Sequence, residues 1–184
     1  ATNLPVFSFD KIMKAIEGKQ FDGNVDGINV LKYEAALYGE VKTPGLGSLH
    51  TEFDASGHAY TSFFISSEIV KWNLKDLKIL DRIPTYYSIG HLSVMGGDTR
   101  TPYGKYMVAY NKITKDRFLP TGPELCQAAQ LYDISGDKMK LILEFPTIGE
   151  PHYAVAIPAD KIKPNVLQFT KLADHHNPSM ISSP

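Results

Sequence analysis

An all-β fold, built as an open arc of β-propeller with one short N-terminal helix, is what this sequence predicts, and two observations carry it. From Gly45 onward, short runs rich in Val, Ile, Tyr and Phe alternate with turn residues at intervals of about ten residues. These runs group into meanders of about fifty residues with only loose mutual similarity, which favours propeller blades. Periodicity alone also allows a sandwich.

Residues 8–18 predict the helix: Ile12, Met13 and Ile16 share one face, Ser8 or Asp10 can cap the start, and Gly18 can end it. It is short and peripheral. The first meander reads as three strands, at 49–53, 59–65 and 69–74, joined by the turn Asp54-Ala55-Ser56-Gly57 and by Ser66-Ser67. A second runs from 106–110 to 130–134, then through Ser135-Gly136-Asp137 into 139–145. A third begins at 153–157, so the expectation is about three blades.

Composition narrows the function. At 184 residues, 43% hydrophobic and 21% charged, the chain has the make-up of one soluble globular domain. With 19 basic against 20 acidic residues, it offers no cationic field for nucleic acid or anionic lipid. Neither is an expected partner. A single cysteine, Cys126, excludes an internal disulfide and a thiolate cluster. No run approaches the roughly 20 apolar residues of a spanning helix. Residues 1–9 lack the basic start and apolar core of an export signal, and both ends read as cut or processed termini.

Three of the six histidines share a setting: Gly47-Ser48-Leu49-His50, Ile89-Gly90-His91-Leu92 and Gly149-Glu150-Pro151-His152-Tyr153. Each follows a Gly-containing turn and is expected to precede an apolar strand. Innermost propeller strands begin near the central axis, so equivalent positions on successive blades can aim at one point. Converging neutral imidazoles suit copper, zinc, iron or nickel, and spacing alone does not choose among them. The plainer alternative is that each histidine caps a turn or bonds a buried carbonyl. His58 reads as a solvated turn residue, and His175-His176 as part of a polar tail.

Several stretches together resemble nitrous oxide reductase: Leu49-His50-Thr51-Glu52-Phe53-Asp54, Gly104-Lys105-Tyr106, the run at 111–120, the run at 131–141 and Gly149-Glu150-Pro151-His152. The resemblance covers nearly the whole chain from Gly45 to about Ile162, with the motifs in the family's order. It implies part of a seven-bladed propeller, residues 1–184 being an incomplete segment of the copper-cluster domain, with a C-terminal cupredoxin domain and its binuclear copper centre outside the chain. The hub then holds a tetranuclear copper–sulfide cluster, and three of the family's seven histidine ligands match His50, His91 and His152.

By the same resemblance, Lys112 and Glu150 flank the edge where substrate meets the cluster, with a simple ion pair between them as the plainer reading. The family also binds calcium through the backbone carbonyl at the Lys112 position and a later carboxylate. Here Gln127 stands where many relatives have an acid, which should weaken that site unless Glu124 compensates. Lys115, Asp116 and Arg117 read as a solvated charged turn. The short loop between His50 and His91, and the run Tyr87-Ser88-Ile89-Gly90-His91-Leu92-Ser93-Val94, suggest the family's divergent branch, exported by the general secretory route.

The resemblance thus implies reduction of N2O to dinitrogen and water in denitrification, in the periplasm or another extracytoplasmic space, by a head-to-tail homodimer served by a small electron-donor protein. The rival reading is a non-catalytic propeller used as a binding scaffold, and a further one is a segment without independent activity.

Overall fold

A computed structural model describes residues 3–112, 127–147 and 149–162. The expected charged turn at Lys115, Asp116 and Arg117, the acid Glu124, Cys126 and the pair His175-His176 lie outside the described residues. Among the described residues no helix is long and apolar enough to cross a membrane.

Two four-stranded antiparallel meanders form the body. The first joins β5 (Ser48–Phe53), β6 (His58–Phe63), β7 (Glu68–Asn73) and β8 (Ile79–Pro84) in that order. The second joins β9 (Ile89–Val94), β10 (Tyr106–Asn111), β11 (Ala128–Asp133) and β12 (Lys140–Pro146). Ahead of them, β1 (Asn3–Phe7) pairs antiparallel with β4 (Leu37–Lys42), and β2 (Phe21–Val25) pairs with β3 (Ile28–Leu31).

Helix α1 (Phe9–Glu17) forms as the periodicity predicts, with Ser8 capping it through the Lys11 N–H at 3.4 Å. Met13 and Ile16 nevertheless stay half-exposed while Ala15 is the buried residue, so the helix is peripheral. A single helical turn, α2 (Tyr33–Ala36), is additional.

The layers stack. Tyr60 and Ile69 of the first sheet meet Ile89, Leu92, Val94, Met107, Ala109, Tyr132, Ile134 and Met139 from the second blade in one core. The opposite face of the first sheet, with Ala59, Phe63, Val70 and Trp72, packs on Val41, Leu4 and Val6 from the β1–β4 ribbon. Strands β6 and β7 are therefore buried on both faces, and successive side chains alternate between two cores.

The structure adds the four strands β1–β4 and the strand β9 to those read from the sequence, and it differs in two further details. The first blade has a fourth strand, β8, whose Asp81 and Arg82 hide a strand signal in a charged stretch. Residues 153–157, expected to open a third blade, form no strand. A strand needs a neighbour to satisfy its backbone, and among the described residues no strand pairs with this segment.

Candidate metal centre

The innermost strands of the two blades, β5 and β9, lie side by side. Ser62 Oγ on β6 donates to the Gly90 carbonyl at 2.6 Å, and the Leu92 N–H donates to His50 Nδ1 at 3.0 Å. His50 sits within β5, as the predicted strand at 49–53 had it, and His91 sits two residues into β9 and not ahead of its strand. Their ring centroids are 4.9 Å apart. His152, on the segment after β12, brings its ring to 4.6 Å from His91 in an edge-on contact. The three histidines singled out by context form one row, His50–His91–His152.

Lys112 follows β10 directly, and its backbone N–H reaches the Ser88 carbonyl at 3.1 Å. Its stem runs over Gly90, where a Cβ would come within 2.1 Å of Lys112 Cε. This route places Nζ 2.8 Å from His91 Nδ1. Burial lowers the Lys112 pKa, opposed by the negative charge of Glu150. The two residues expected at the substrate edge are therefore electrostatically coupled, one of them in contact with the histidine row.

Burial also pushes His50 below the usual imidazole range, against the opposing pull of Asp98. For His91, burial acts together with Lys112, His50 and His152, and all lower it. For both histidines the shift favours the neutral ring, the form in which imidazole ligates a metal. Their Nδ1 atoms, however, face the Leu92 N–H and the Lys112 ammonium, so in the neutral rings Nε2 carries the proton. Ligation through Nδ1 requires Lys112 to swing off His91 and His50 to part from Leu92.

As a donor set, three neutral imidazoles with no thiolate fit copper. Among the described residues no group of three His, Cys, Asp or Glu gathers tightly enough for a single ion. A row of rings is instead an arrangement that can spread its donors over several metal atoms.

Gln127 and the Lys112 carbonyl, the expected calcium pair, do meet, but as hydrogen-bond partners, with Gln127 Nε2 donating at 3.4 Å. His58 differs from its reading as a solvated turn residue. It opens β6, is part-buried, and bonds Asp54 Oδ2 through Nδ1 at 2.9 Å. It belongs to the β5–β6 turn network, which Tyr60 joins by donating to the same oxygen at 2.8 Å.

Sequence reasoning missed Glu52. It is 1% exposed, its Oε1 lies 3.8 Å from His50 Nε2, and its Oε2 has no hydrogen-bond partner. Burial, reinforced by Asp98, pushes its carboxyl up to about 7. The signal was present: residues two apart on a strand share a face, so Glu52 had to lie on the side of His50. Tyr153 was missed as well. Its ring lies 5.8 Å from that of His50 and 5.4 Å from that of His91. No local pattern marks such a long-range contact.

Stacked four-stranded meanders, with histidines on adjacent innermost strands, define a β-propeller segment with an imidazole-lined hub. Residues 82–152 match the nitrous oxide reductase propeller repeat. The chain is 43% identical to the nitrous-oxide reductase of Stutzerimonas stutzeri over 129 residues, 65% of this chain and 20% of that protein. It is 39% identical to that of Cupriavidus necator over 155 residues, 78% of this chain and 23% of the relative. The Pseudomonas fluorescens enzyme is 41% identical over 129 residues. The chain belongs to the nitrous oxide reductase family and carries part of its propeller. It spans 20–23% of the length of the curated relatives it matches.

Proposed function

We propose that the protein containing this segment reduces N2O to dinitrogen and water at a tetranuclear copper–sulfide centre, and that His50, His91 and His152 hold one side of it. The observation that carries the reading is the row of three imidazoles, one of them touched by Lys112. The copper centre supplies the two electrons when it is bound.

The residues of this chain do the rest. Breaking the N–O bond leaves oxygen to take up two protons, and negative charge develops on it first. Lys112 holds a proton on Nζ beside His91, where a cation stabilises that charge. Glu150 supports the protonated form of Lys112 against burial and so keeps it charged for this task.

Calcium bound through the Lys112 carbonyl and Gln127 would brace the backbone behind Lys112. It would have to displace the hydrogen bond between them, and a neutral amide makes the site weak. A cupredoxin domain with a binuclear copper centre, a head-to-tail homodimer, a small electron donor and a periplasmic location reached by the general secretory route complete the proposal.

The test is copper content and N2O turnover in the full-length protein. His152→Ala is expected to lower both on the order of tenfold or more, whereas His58→Ala, which alters a turn bonded to Asp54, leaves both near wild type. Equal copper in wild type and His152→Ala would sink the ligand assignment and favour a propeller that serves only as a scaffold.

A further inference from the structure

We propose that Tyr153 is a positioning residue for the histidine row, its ring braced against both His50 and His91 and seated by Ser93. The proposal rests on the reading of that row as a metal site only for its purpose; the bracing itself is geometric.

Tyr153 meets His50 at 5.8 Å and 83°, and His91 at 5.4 Å and 66°, both edge-on contacts. His152, the adjacent residue, meets His91 at 4.6 Å and 85°. Two consecutive side chains thus grip His91, and the second also reaches His50. The aromatic edge is positive and the face negative, so such contacts prefer a defined tilt and restrict ring rotation.

Something must hold the bracing segment, because residues 151–158 form no strand. Ser93 on β9 supplies the tie: its hydroxyl donates to the Ala154 carbonyl, one residue beyond Tyr153. Tyr153 itself remains 44% exposed, which makes simple core filling a poor account of its position. Its value lies in the two imidazoles it touches.

A ring that fixes imidazole orientation reduces the reorganisation needed when a metal arrives. The bracing uses the ring, so phenylalanine should replace tyrosine and alanine should not.

The test uses the full 184-residue chain. Side-chain NMR of the metal-free protein reads the ring protons of His50 and His91, while His58, bonded to Asp54, reports whether the fold persists. Tyr153→Ala is expected to shift the His50 and His91 resonances by loss of the ring current, with His58 unmoved. Tyr153→Phe should keep them near wild type, and Ser93→Ala should move them in the direction of Tyr153→Ala. Titration with Cu(I) alone, in competition with a chromophoric chelator, should show Tyr153→Ala binding on the order of tenfold more weakly than wild type or Tyr153→Phe.

Unmoved His50 and His91 resonances in Tyr153→Ala would overturn the proposal, as would Tyr153→Phe behaving like Tyr153→Ala. If the resonances respond as expected but wild type takes up no Cu(I), the bracing stands and the copper reading of this chain fails.

Discussion

The missing side chain at Gly90 is what lets Lys112 reach His91. A Cβ there would lie 2.1 Å from Lys112 Cε and 2.4 Å from Cδ, so alanine and the observed lysine path exclude each other. The obstructed atoms belong to a flexible stem that can move into solvent, so Gly90→Ala should cost no more than about 1 kcal/mol of stability. Its local effect is larger: Nζ must leave His91 Nδ1. Nitrogen NMR of His91 is expected to show Nδ1 losing its hydrogen-bond donor in the variant, and an unchanged shift would mean that Lys112 does not depend on this cradle. At this scale the sequence was partly legible. His50, His91 and His152 stood out because three similar contexts repeat, and Glu52 was readable from strand alternation once His50 had been placed on β5. Asp98 and Tyr153 were not, since only the folded chain brings a loop and the segment after β12 to the same histidines.

Between elements, polar groups lock the two blades beyond their shared apolar core. Lys71 of β7, 2% exposed, donates to the Gly136 carbonyl in the turn between β11 and β12 at 2.8 Å. Asp81 of β8 receives Lys138 Nζ at 2.9 Å and the Met139 N–H at 2.8 Å. Burial raises the Asp81 pKa, but these donors, with the Arg82 N–H, outweigh it and hold the carboxyl below its ordinary value. A carboxyl depressed in the folded state stabilises fully above its unfolded pKa of about 3.9 and loses that contribution as pH falls through the lower folded value. Asp81→Asn is therefore expected to lower stability at pH 7 by on the order of 1–2 kcal/mol. The gap from wild type should close as the pH falls below the ordinary carboxylate range and through the lowered folded value. Denaturant melts across that range check it; a gap that stays constant with pH would show that the charge on Asp81 does not matter. Strand β8 itself escaped sequence reading because this same charged residue interrupts its apolar pattern. The β2–β3 hairpin was there to be read: Asp26 and Gly27 both take positive φ, 50° and 85°, the Asp-Gly turn that suits a tight antiparallel pair.

For the molecule as a whole, the stacking of sheets leaves an imbalance. The first blade is covered on both faces, by the second blade and by the β1–β4 ribbon. The second shares one apolar core with the first, and among the described residues its last strand β12 is exposed along its length, with Leu141, Ile142, Leu143 and Phe145 each 44–54% accessible. Apolar surface of this kind promotes association when nothing else covers it. The chain studied alone is accordingly expected to self-associate, and Leu143→Lys should raise its monomer fraction in sedimentation. The same incompleteness limits chemistry. Three imidazoles supply less than half of the seven histidines that the family resemblance assigns to the cluster, and the chain spans only 20–23% of its relatives. Copper and sulfide added to the purified chain should give weakly held, substoichiometric metal. With a strong artificial reductant in place of any electron-relay domain, N2O consumption should stay at the level of the reagents without protein. Turnover at a rate comparable with the intact relatives would mean that His50, His91, His152 and Lys112 suffice for catalysis, and that the remaining propeller only stabilises them.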